Sequence, residues 1–220
     1  MNKSKSELTQ TLIVKENEIK TIVVDGSKKE NTNLKINCDK KSKLNYYFIN
    51  FGENTNTVVE LEEESEIKMI NIILLNNQKE QHDIKIIHRG KKSRSYLENK
   101  VILSESETRI NGLIRIEKTA EDAEGYQKTD VLILKNSKAI SVPDLEIENN
   151  QVKCTHSSSI SRIDAEKIFY LQSRGLRKEE AIELIITSFI ESSLYDLEEK
   201  QKEELMTMAN HKIKQMKNEI

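Results

Sequence analysis

The sequence has little of what many catalytic and metal sites are built from. Its 220 residues include only six glycines and two cysteines, Cys38 and Cys154. The cysteines form no Cys-x-x-Cys pair, so the sequence predicts neither a disulfide framework nor a zinc-ribbon site. Phosphate-binding loops, nucleophile elbows and zinc-protease motifs are also missing, and six glycines make a close backbone approach to a nucleotide hard to arrange. Any dependence on ATP would therefore have to come from a partner.

A strong charge of one sign and a long apolar run are missing as well. The 35 basic and 37 acidic residues give a formal net charge of -2, which disfavours binding to nucleic acid or to a phospholipid surface. The longest apolar stretch, Met69–Leu75, is interrupted by Asn71 and is too short to span a bilayer. Met1–Gln10 lack the apolar segment of a signal peptide. We expect a soluble, cytoplasmic protein with no nucleic-acid or membrane partner.

Short apolar runs bounded by turn-forming residues fill the sequence from about Lys20 to Lys153. Many of them alternate with polar residues, which is typical of β-strands. No helical pattern separates them, so a doubly wound α/β domain is excluded. The turn spacing suits a sandwich, a barrel or a β-solenoid about equally well, and there is no strict short repeat to decide. The runs are Thr21–Val24, Leu34–Ile36, Val58–Leu61, Ile67–Leu75, Ile84–Ile87, Val101–Leu103, Leu113–Ile116, Val131–Leu134 and Leu145–Ile147.

The pattern becomes helical after Ile163. Asp164 is suited to cap a short helix that runs through Arg174, and Gly175 is suited to the left-handed position that ends it. Glu179 and Glu180 then fit the first turn of a second helix, which carries a broad apolar stripe from Ala181 to Ile190. A third, more exposed helix is predicted from about Asp196 to Met216, with the helices packed against one another and the β-body.

The candidate chemical site is the segment from Gln151 to His156. In a β-strand, Val152, Cys154 and His156 project from the same face, so a thiolate and an imidazole could converge there. Both groups are ligands of iron and of iron–sulfur clusters. From spacing alone this signal is weak, because a buried cysteine and a hydrogen-bonded histidine give the same pattern.

The other histidines and cysteine give no metal-binding pattern. His82 and His88 share a strand face but lie six residues apart, so we predict a structural or interface role for them. His211 is expected to be solvent-exposed on the last helix. Cys38 is expected to be a core residue at the end of a strand.

Several motifs in Gln81–Phe189 together carry a specific resemblance. They are the strand Pro143-Asp144-Leu145-Glu146-Ile147, the pair Cys154 and His156, the helix end Phe169-Tyr170-Leu171 with Arg174-Gly175, and the helix start Glu179-Glu180-Ala181; upstream are Ile110–Ile116 and Tyr126–Asp130. This region resembles the end of the SufB/SufD core, from a family of scaffold proteins for iron–sulfur cluster assembly in the SUF system.

The resemblance implies a mainly β fold, a right-handed parallel β-helix followed by a small helical domain. We therefore expect a β-helix domain over 1–160 and an ATPase-docking helical domain over 161–220. The resemblance also implies a non-enzymatic scaffold that pairs through its β-helix end with a SufB-like subunit or a second copy of itself. A SufC-like ABC ATPase is the second partner that it implies. The partner-binding residues it implies are Phe169, Tyr170, Arg174, Gly175, Ile182, Ile185 and Phe189.

The resemblance also bears on the site. His156 matches a histidine of SufD-like subunits at the junction where clusters form, with Cys154 beside it, so both are candidate ligands of a transient iron–sulfur cluster and His156 of iron. Thr129 stands where SufB-like subunits have a cysteine, and Ser157 where they have a glutamate. Both departures indicate a SufD-like member. Strand-like segments begin by about Leu12, so the chain is expected to be a compact version that lacks the long N-terminal helical region of larger relatives, and it is expected to bind no nucleotide itself.

Two other functions compete with the scaffold role. The chain could be a structural or regulatory partner of the ATPase with no cluster ligands of its own. A carbohydrate-active β-helix enzyme is disfavoured, because it would need paired acids on an exposed face, whereas the acids here are scattered over turns and helices.

Overall fold

A computed structural model describes residues 10–26 and 33–217 of the chain. The outermost residues of the two predicted domains, 1–9 and 218–220, lie outside this part. The described strands are β1 (Gln10–Val14), β2 (Ile19–Asp25), β3 (Asn33–Cys38), β4 (Lys43–Asn50), β5 (Thr55–Leu61), β6 (Glu66–Asn76), β7 (Lys79–His88), β8 (Arg94–Ser104), β9 (Glu107–Ile116), β10 (Glu124–Ile133), β11 (Lys138–Ile147) and β12 (Lys153–Arg162). The helices are α1 (Ala165–Ser173), α2 (Lys178–Glu191) and α3 (Glu199–Lys217).

The strands form two parallel sheets that stack along one axis. Sheet A has the order β1-β3-β5-β7-β9-β11, and sheet B has the order β12-β10-β8-β6-β4-β2. Successive strands alternate between the sheets, so each circuit of the chain adds one parallel strand to each of them. This is a parallel β-solenoid, and it confirms the predicted β-helix class against the sandwich and the barrel.

Sheet B is buried on both of its faces along β4 and β6. Inward residues such as Tyr46 and Met69 belong to one core cluster, and outward neighbours such as Tyr47 and Ile70 belong to another that includes the helices. Strands covered on both sides read as continuous apolar runs rather than alternating ones. Burial on both faces therefore explains the continuous apolar run Met69–Leu75 of β6. It also explains why the sequence analysis did not predict β4, which lacks an alternating pattern.

One corner of the solenoid repeats the same local geometry in successive turns. At each repeat a non-glycine residue with positive φ donates its backbone N–H to a carbonyl of the following turn, at 2.8 to 3.1 Å. In three repeats the next residue is a buried serine whose hydroxyl donates to the carbonyl three residues earlier. The positive-φ residues are Asn17, Lys41, Glu64, Lys92 and Asp122, and the serines are Ser42, Ser65 and Ser93. The repeat is therefore one of turn geometry, with little identity in sequence.

The first helix begins and ends as the sequence predicts, and the second begins as predicted. The Asp164 side chain accepts a hydrogen bond from the backbone N–H of Glu166 at 2.9 Å and caps α1. Gly175 follows the helix with φ of +97°, and the N–H of Leu176 bonds back to the carbonyl of Leu171 at 3.3 Å. This left-handed ending favours glycine. Glu179 and Glu180 lie in the first turn of α2.

Helices α2 and α3 pack on the outer face of sheet B and share a core cluster with it. From α2 the cluster includes Ile182, Ile186 and Ile190. Although the apolar residues of α3 are sparse, most of them form a buried stripe, so this helix is less exposed than predicted. The stripe contains Leu205, Met206, Ala209, Ile213 and Met216. None of the described helices has the length and hydrophobicity needed to cross a membrane.

Candidate functional site at the open end of the solenoid

The last turn of the solenoid, β11 and β12, leaves both sheets with an open edge. In the described part of the chain no further strand pairs with β11 or β12 on the outer side. Three isoleucines there keep more than a third of their surface exposed: Ile140 at 37%, Ile147 at 46% and Ile160 at 48%. Unpaired strands with exposed apolar side chains are a typical docking edge for another chain.

The two open strands differ in how well they can accept a partner. β11 contains Pro143, which lacks a backbone N–H, and the acidic residues Asp144 and Glu146. Proline and charges are the devices by which natural sheets block pairing at an edge. β12 has ten residues, no proline and no acidic residue. Its free edge is therefore the better acceptor of a partner strand.

Cys154 lies on the inward face of β12 and is half-buried at the end of the solenoid. Its backbone pairs with Gly125 of β10, where a Cβ would lie 3.1 Å from the Cys154 Sγ. The absence of a side chain at Gly125 therefore provides room for the thiol. Burial raises the pKa of Cys154 to about 11, so the group is a neutral thiol at pH 7. It packs against a small cluster that contains Ile114 and Ala123.

His156 lies two residues further along β12 and is exposed. It pairs with Gln127 of β10, an inward-facing residue, so strand alternation gives His156 and Cys154 the same side of the strand. Among the residues that the structure describes, no three His, Cys, Asp or Glu side chains are close enough to hold a metal ion. The open end of the solenoid therefore offers two donor groups, Cys154 and His156, rather than a complete metal site.

A row of three hydrogen-bonded polar side chains crosses the interior towards this end. The Nδ2 of Asn71 donates to the Oδ1 of Asn99 at 2.9 Å, and the Nδ2 of Asn99 donates to the Oγ1 of Thr129 at 3.1 Å. All three residues are buried, and Thr129 pairs in register with Ser158 of β12. The sequence analysis did not identify this row of polar side chains. Its one signal was Asn71, which interrupts the apolar run Met69–Leu75.

Gln127 is a further buried polar side chain on the inner face of β10, in register with His156. Its Nε2 donates to the backbone carbonyl of Gly112 across the interior, at 3.3 Å. A Cβ on Gly112 would lie 2.5 Å from that nitrogen, so the missing side chain makes space for the amide. The Oε1 of Gln127 is buried without a hydrogen-bond partner in the described structure. Thr129 and Gln127 thus place two buried polar side chains of β10 in register with Ser158 and His156 of β12.

His82 and His88 lie inside the solenoid, away from its open end. The Nδ1 of His82 hydrogen-bonds with the hydroxyl of Thr55 at 3.1 Å. Both ring nitrogens of His88 hydrogen-bond with serine hydroxyls, those of Ser93 and Ser95, at 2.8 Å each. These contacts give both histidines a structural role. Cys38 is fully buried at the end of β3 and His211 is exposed on α3, both as predicted.

The predicted partner-binding residues fall into exposed and covered groups. On α1, Phe169 and Tyr170 expose 73% and 57% of their surface, and the Arg174 guanidinium lies over the Tyr170 ring at 5.3 Å. Arg174 and Gly175 are exposed as well. On α2, Ile185 and Phe189 are half-buried, whereas Ile182 is buried against sheet B. The freely accessible part of this surface is therefore the aromatic face of α1.

Comparison with known proteins gives one consistent family. The domain described as "SUF system FeS cluster assembly, SufBD core domain" matches residues 2–189. The iron–sulfur cluster assembly protein SufD of Bacillus subtilis is 34% identical over 140 residues, which cover 62% of this chain and 32% of that protein. SufBD family proteins of Synechocystis sp. (slr0074) and Galdieria sulphuraria (ycf24) are 31% and 36% identical over 129 residues. Those matches cover 57% of this chain and 27% and 58% of the two relatives.

The matched stretch therefore spans less than two thirds of each of these relatives, but it covers most of this chain. The matched region begins before β1 and ends within α2, so it includes all twelve described strands, the open end and the exposed helix α1. The chain belongs to the SufBD family of iron–sulfur cluster assembly proteins.

Proposed function

We propose that the chain is a non-catalytic scaffold subunit of a cytoplasmic SUF-type iron–sulfur cluster assembly complex. The observation that carries this proposal is the position of Cys154 and His156 on the last, unpaired strand of the solenoid in a SufBD family protein. Two donor groups at an open edge are half of a ligand set, and a second subunit docked on that edge can supply the rest. The cluster is the cargo of this site rather than a resident cofactor.

The partner at the open end is a SufB-like subunit or a second copy of this chain. The free edge of β12 supports this assignment, because it has ten residues with no proline and no acidic side chain to prevent pairing. An incoming strand would also cover Ile160 and enclose the exposed imidazole of His156.

The second partner is an ABC-type ATPase of the SufC class, docked on α1 and the adjoining part of α2. Phe169 and Tyr170 support this, since large exposed aromatic side chains are typical of protein interfaces. Arg174 and Gly175 border the same surface. Ile182 is buried between α2 and sheet B, and it contributes by holding the helix on the sheet. The ATPase supplies the nucleotide chemistry, since this chain has no phosphate-binding loop.

The chemistry of the interior favours a SufD-like role. At Thr129, where SufB-like relatives have a cysteine, the hydroxyl accepts the hydrogen bond from Asn99 and faces a closed, polar interior. Ser157 carries no carboxylate at the position of the SufB-like glutamate. A chain that lacks these two ligands is suited to complement a SufB-like subunit.

A second function, a structural partner of the ATPase with no cluster ligands, is favoured by one observation. The Cys154 thiol is neutral and packed against aliphatic side chains, which is typical of a core cysteine. In this version β12 still pairs with a partner, but the cluster is held elsewhere in the complex.

Co-expression with the ABC-type ATPase and any SufB-like protein of the same organism tests the proposal. We expect the full chain to co-purify with the ATPase as a complex whose mass, by size-exclusion chromatography and native mass spectrometry, includes both. Truncation after Arg162 is an unsuitable control, because it would strip α2 and α3 from the apolar outer face of sheet B. A full chain that stays free of the ATPase with and without nucleotide would contradict the proposal.

A further inference from the structure

Four charged side chains form a compact cluster on the outer face of sheet B, at the border of the helix-covered area. Glu98 and Lys100 come from β8, and Lys128 and Asp130 come from β10. The Oδ2 of Asp130 lies 2.9 Å from the Nζ of each lysine, and the Oε1 of Glu98 lies 3.4 Å from each. The side chains of Glu98 and Lys100 are both only 6% exposed. The cluster is therefore a balanced and largely buried set of two pairs.

The cluster occupies positions where apolar side chains would fit the fold. In the same two rows of the sheet, β6 carries Ile70 opposite Glu98 and Ile72 opposite Lys100. Replacing a buried ion pair with well-packed apolar residues is often neutral or stabilising, so such pairs are weak evidence for stability. Their best-attested use is to fix one arrangement of the elements that contact them.

Two contacts connect the cluster with other elements on opposite sides. On one side, the Phe189 ring of α2 covers the Lys100 ammonium, with Nζ 4.6 Å from the ring centroid. On the other side, the hydroxyl of Ser159 on β12 donates to the Oδ1 of Asp130 at 2.7 Å. Asp130 thus accepts from both lysines through one oxygen and from the edge strand through the other.

We propose that this cluster positions the edge strand β12 and makes its placement depend on helix α2, with Asp130 as the positioning residue. The inference deepens the proposed function and rests on it, because α2 adjoins the ATPase-docking surface and Ser159 lies three residues after His156. Displacement of Phe189 by a docked partner exposes Lys100 to water and weakens its pairing with Asp130. The bond to Ser159 then loosens, and the strand that carries His156 is held less firmly on β10.

The electrostatics of Asp130 agree with this role. Burial acts to raise its pKa, but hydrogen bonds from Lys128, Lys100 and Ser159 outweigh burial and lower the pKa. The carboxylate is therefore ionised at neutral pH, as a strong acceptor for the Ser159 hydroxyl must be.

Hydrogen–deuterium exchange of the isolated full chain tests the link to β12. We expect Ser159→Ala to accelerate exchange in the peptide covering β12 by about tenfold, because it removes a hydrogen bond to a charged acceptor. Ser159→Thr keeps the hydroxyl and should restore the wild-type rate. Because Ser159 is exposed, neither variant should alter the fold, and thermal unfolding checks this. Equal β12 exchange in wild type and Ser159→Ala would overturn the proposal.

The dependence on α2 is tested by changing Phe189. Phe189→Leu removes the ring over Lys100 and should accelerate exchange in β12 by roughly threefold, the loss expected for a cation–π contact. Leu184→Ala, on the exposed side of the same helix, is the matched control and should leave β12 unchanged. An effect of Phe189→Leu confined to α2 would overturn the proposed coupling. These exchange measurements need no partner. If the chain fails to bind an ATPase, the proposed function is contradicted, but the measured coupling between α2 and β12 still stands.

Discussion

Lowering the pH from 7 to 5 should reduce the free energy of unfolding by about 4 kcal/mol, because two buried histidines must stay neutral in the folded chain. His82 and His88 are 1% and 0% exposed. Burial lowers the pKa of both from 6.5 to about 4, against smaller opposing effects of the Asp83 charge on His82 and of hydrogen bonding with Ser93 on His88. Each histidine contributes about 2 kcal/mol of this loss at pH 5.

The sign follows from where the protons bind. In the unfolded chain both imidazoles take up a proton as the pH falls through 6.5, whereas in the folded chain they do so only near 4. Between these values the unfolded state binds more protons, so stability is lost as the pH falls and is fully present above about 6.5. Most carboxylates titrate below this window, so the histidines dominate the slope from pH 7 to 5.

Urea unfolding at pH 7, 6 and 5 measures this effect. His82→Gln removes one titrating group and should reduce the change in unfolding free energy between pH 7 and 5 by about half. His211→Gln is the matched control, because it replaces a histidine that is exposed on α3 instead of buried. The same pH slope in both variants would contradict a buried, neutral His82.

Replacing both Phe169 and Tyr170 by alanine should weaken binding of the ABC-type ATPase by about 100-fold or more, the size of loss expected for two aromatic hot-spot residues. The two rings are the largest exposed apolar groups of α1. Because no residue of α1 is fully buried, the double variant should keep the fold and the free energy of unfolding of the wild type. The dissociation constant of the purified pair, from isothermal titration calorimetry, is the measurement.

Tyr195→Ala provides the matched control for this prediction. Tyr195 is 74% exposed, but it lies between α2 and α3 beside Lys68, whose Nζ is 4.3 Å from its ring centroid. This variant loses an exposed aromatic ring without touching α1, so it should bind the ATPase like the wild type. If the double variant binds equally well, the ATPase does not dock on α1.

Much of the fold could be predicted from local sequence signals. The helix cap at Asp164, the left-handed Gly175 and the acidic first turn at Glu179 and Glu180 depend on neighbouring residues only, and all three were found. The class of solenoid came from the resemblance instead, since strand periodicity could not separate it from a sandwich. β4 was missed because it is buried on both faces and so lacks the alternation that identifies a strand.

The stacking of one turn on the next could not be predicted, because the turns differ in length. Leu44 pairs with Ile67, 23 residues on, whereas Glu98 pairs with Lys128, 30 residues on. Without a fixed period, the sequence does not reveal that Asn71, Asn99 and Thr129 share one interior row, or that Lys100 meets Asp130. The candidate residues Cys154 and His156 could be found because they lie on one strand, where alternation alone gives them a common face.

Cluster assembly by the complete complex after His156→Ala tests the central claim most directly. The full chain would be purified with the ATPase and its SufB-like or identical partner, then supplied with iron, a sulfide source and ATP, and cluster formation followed by visible absorbance. We predict a rate reduced on the order of tenfold or more, comparable to the loss of a supporting residue at a metal site, with His211→Ala unchanged as the control. A wild-type rate with His156→Ala, and again with Cys154→Ser added, would contradict a ligand role for the open end and leave the chain as a structural partner of the ATPase.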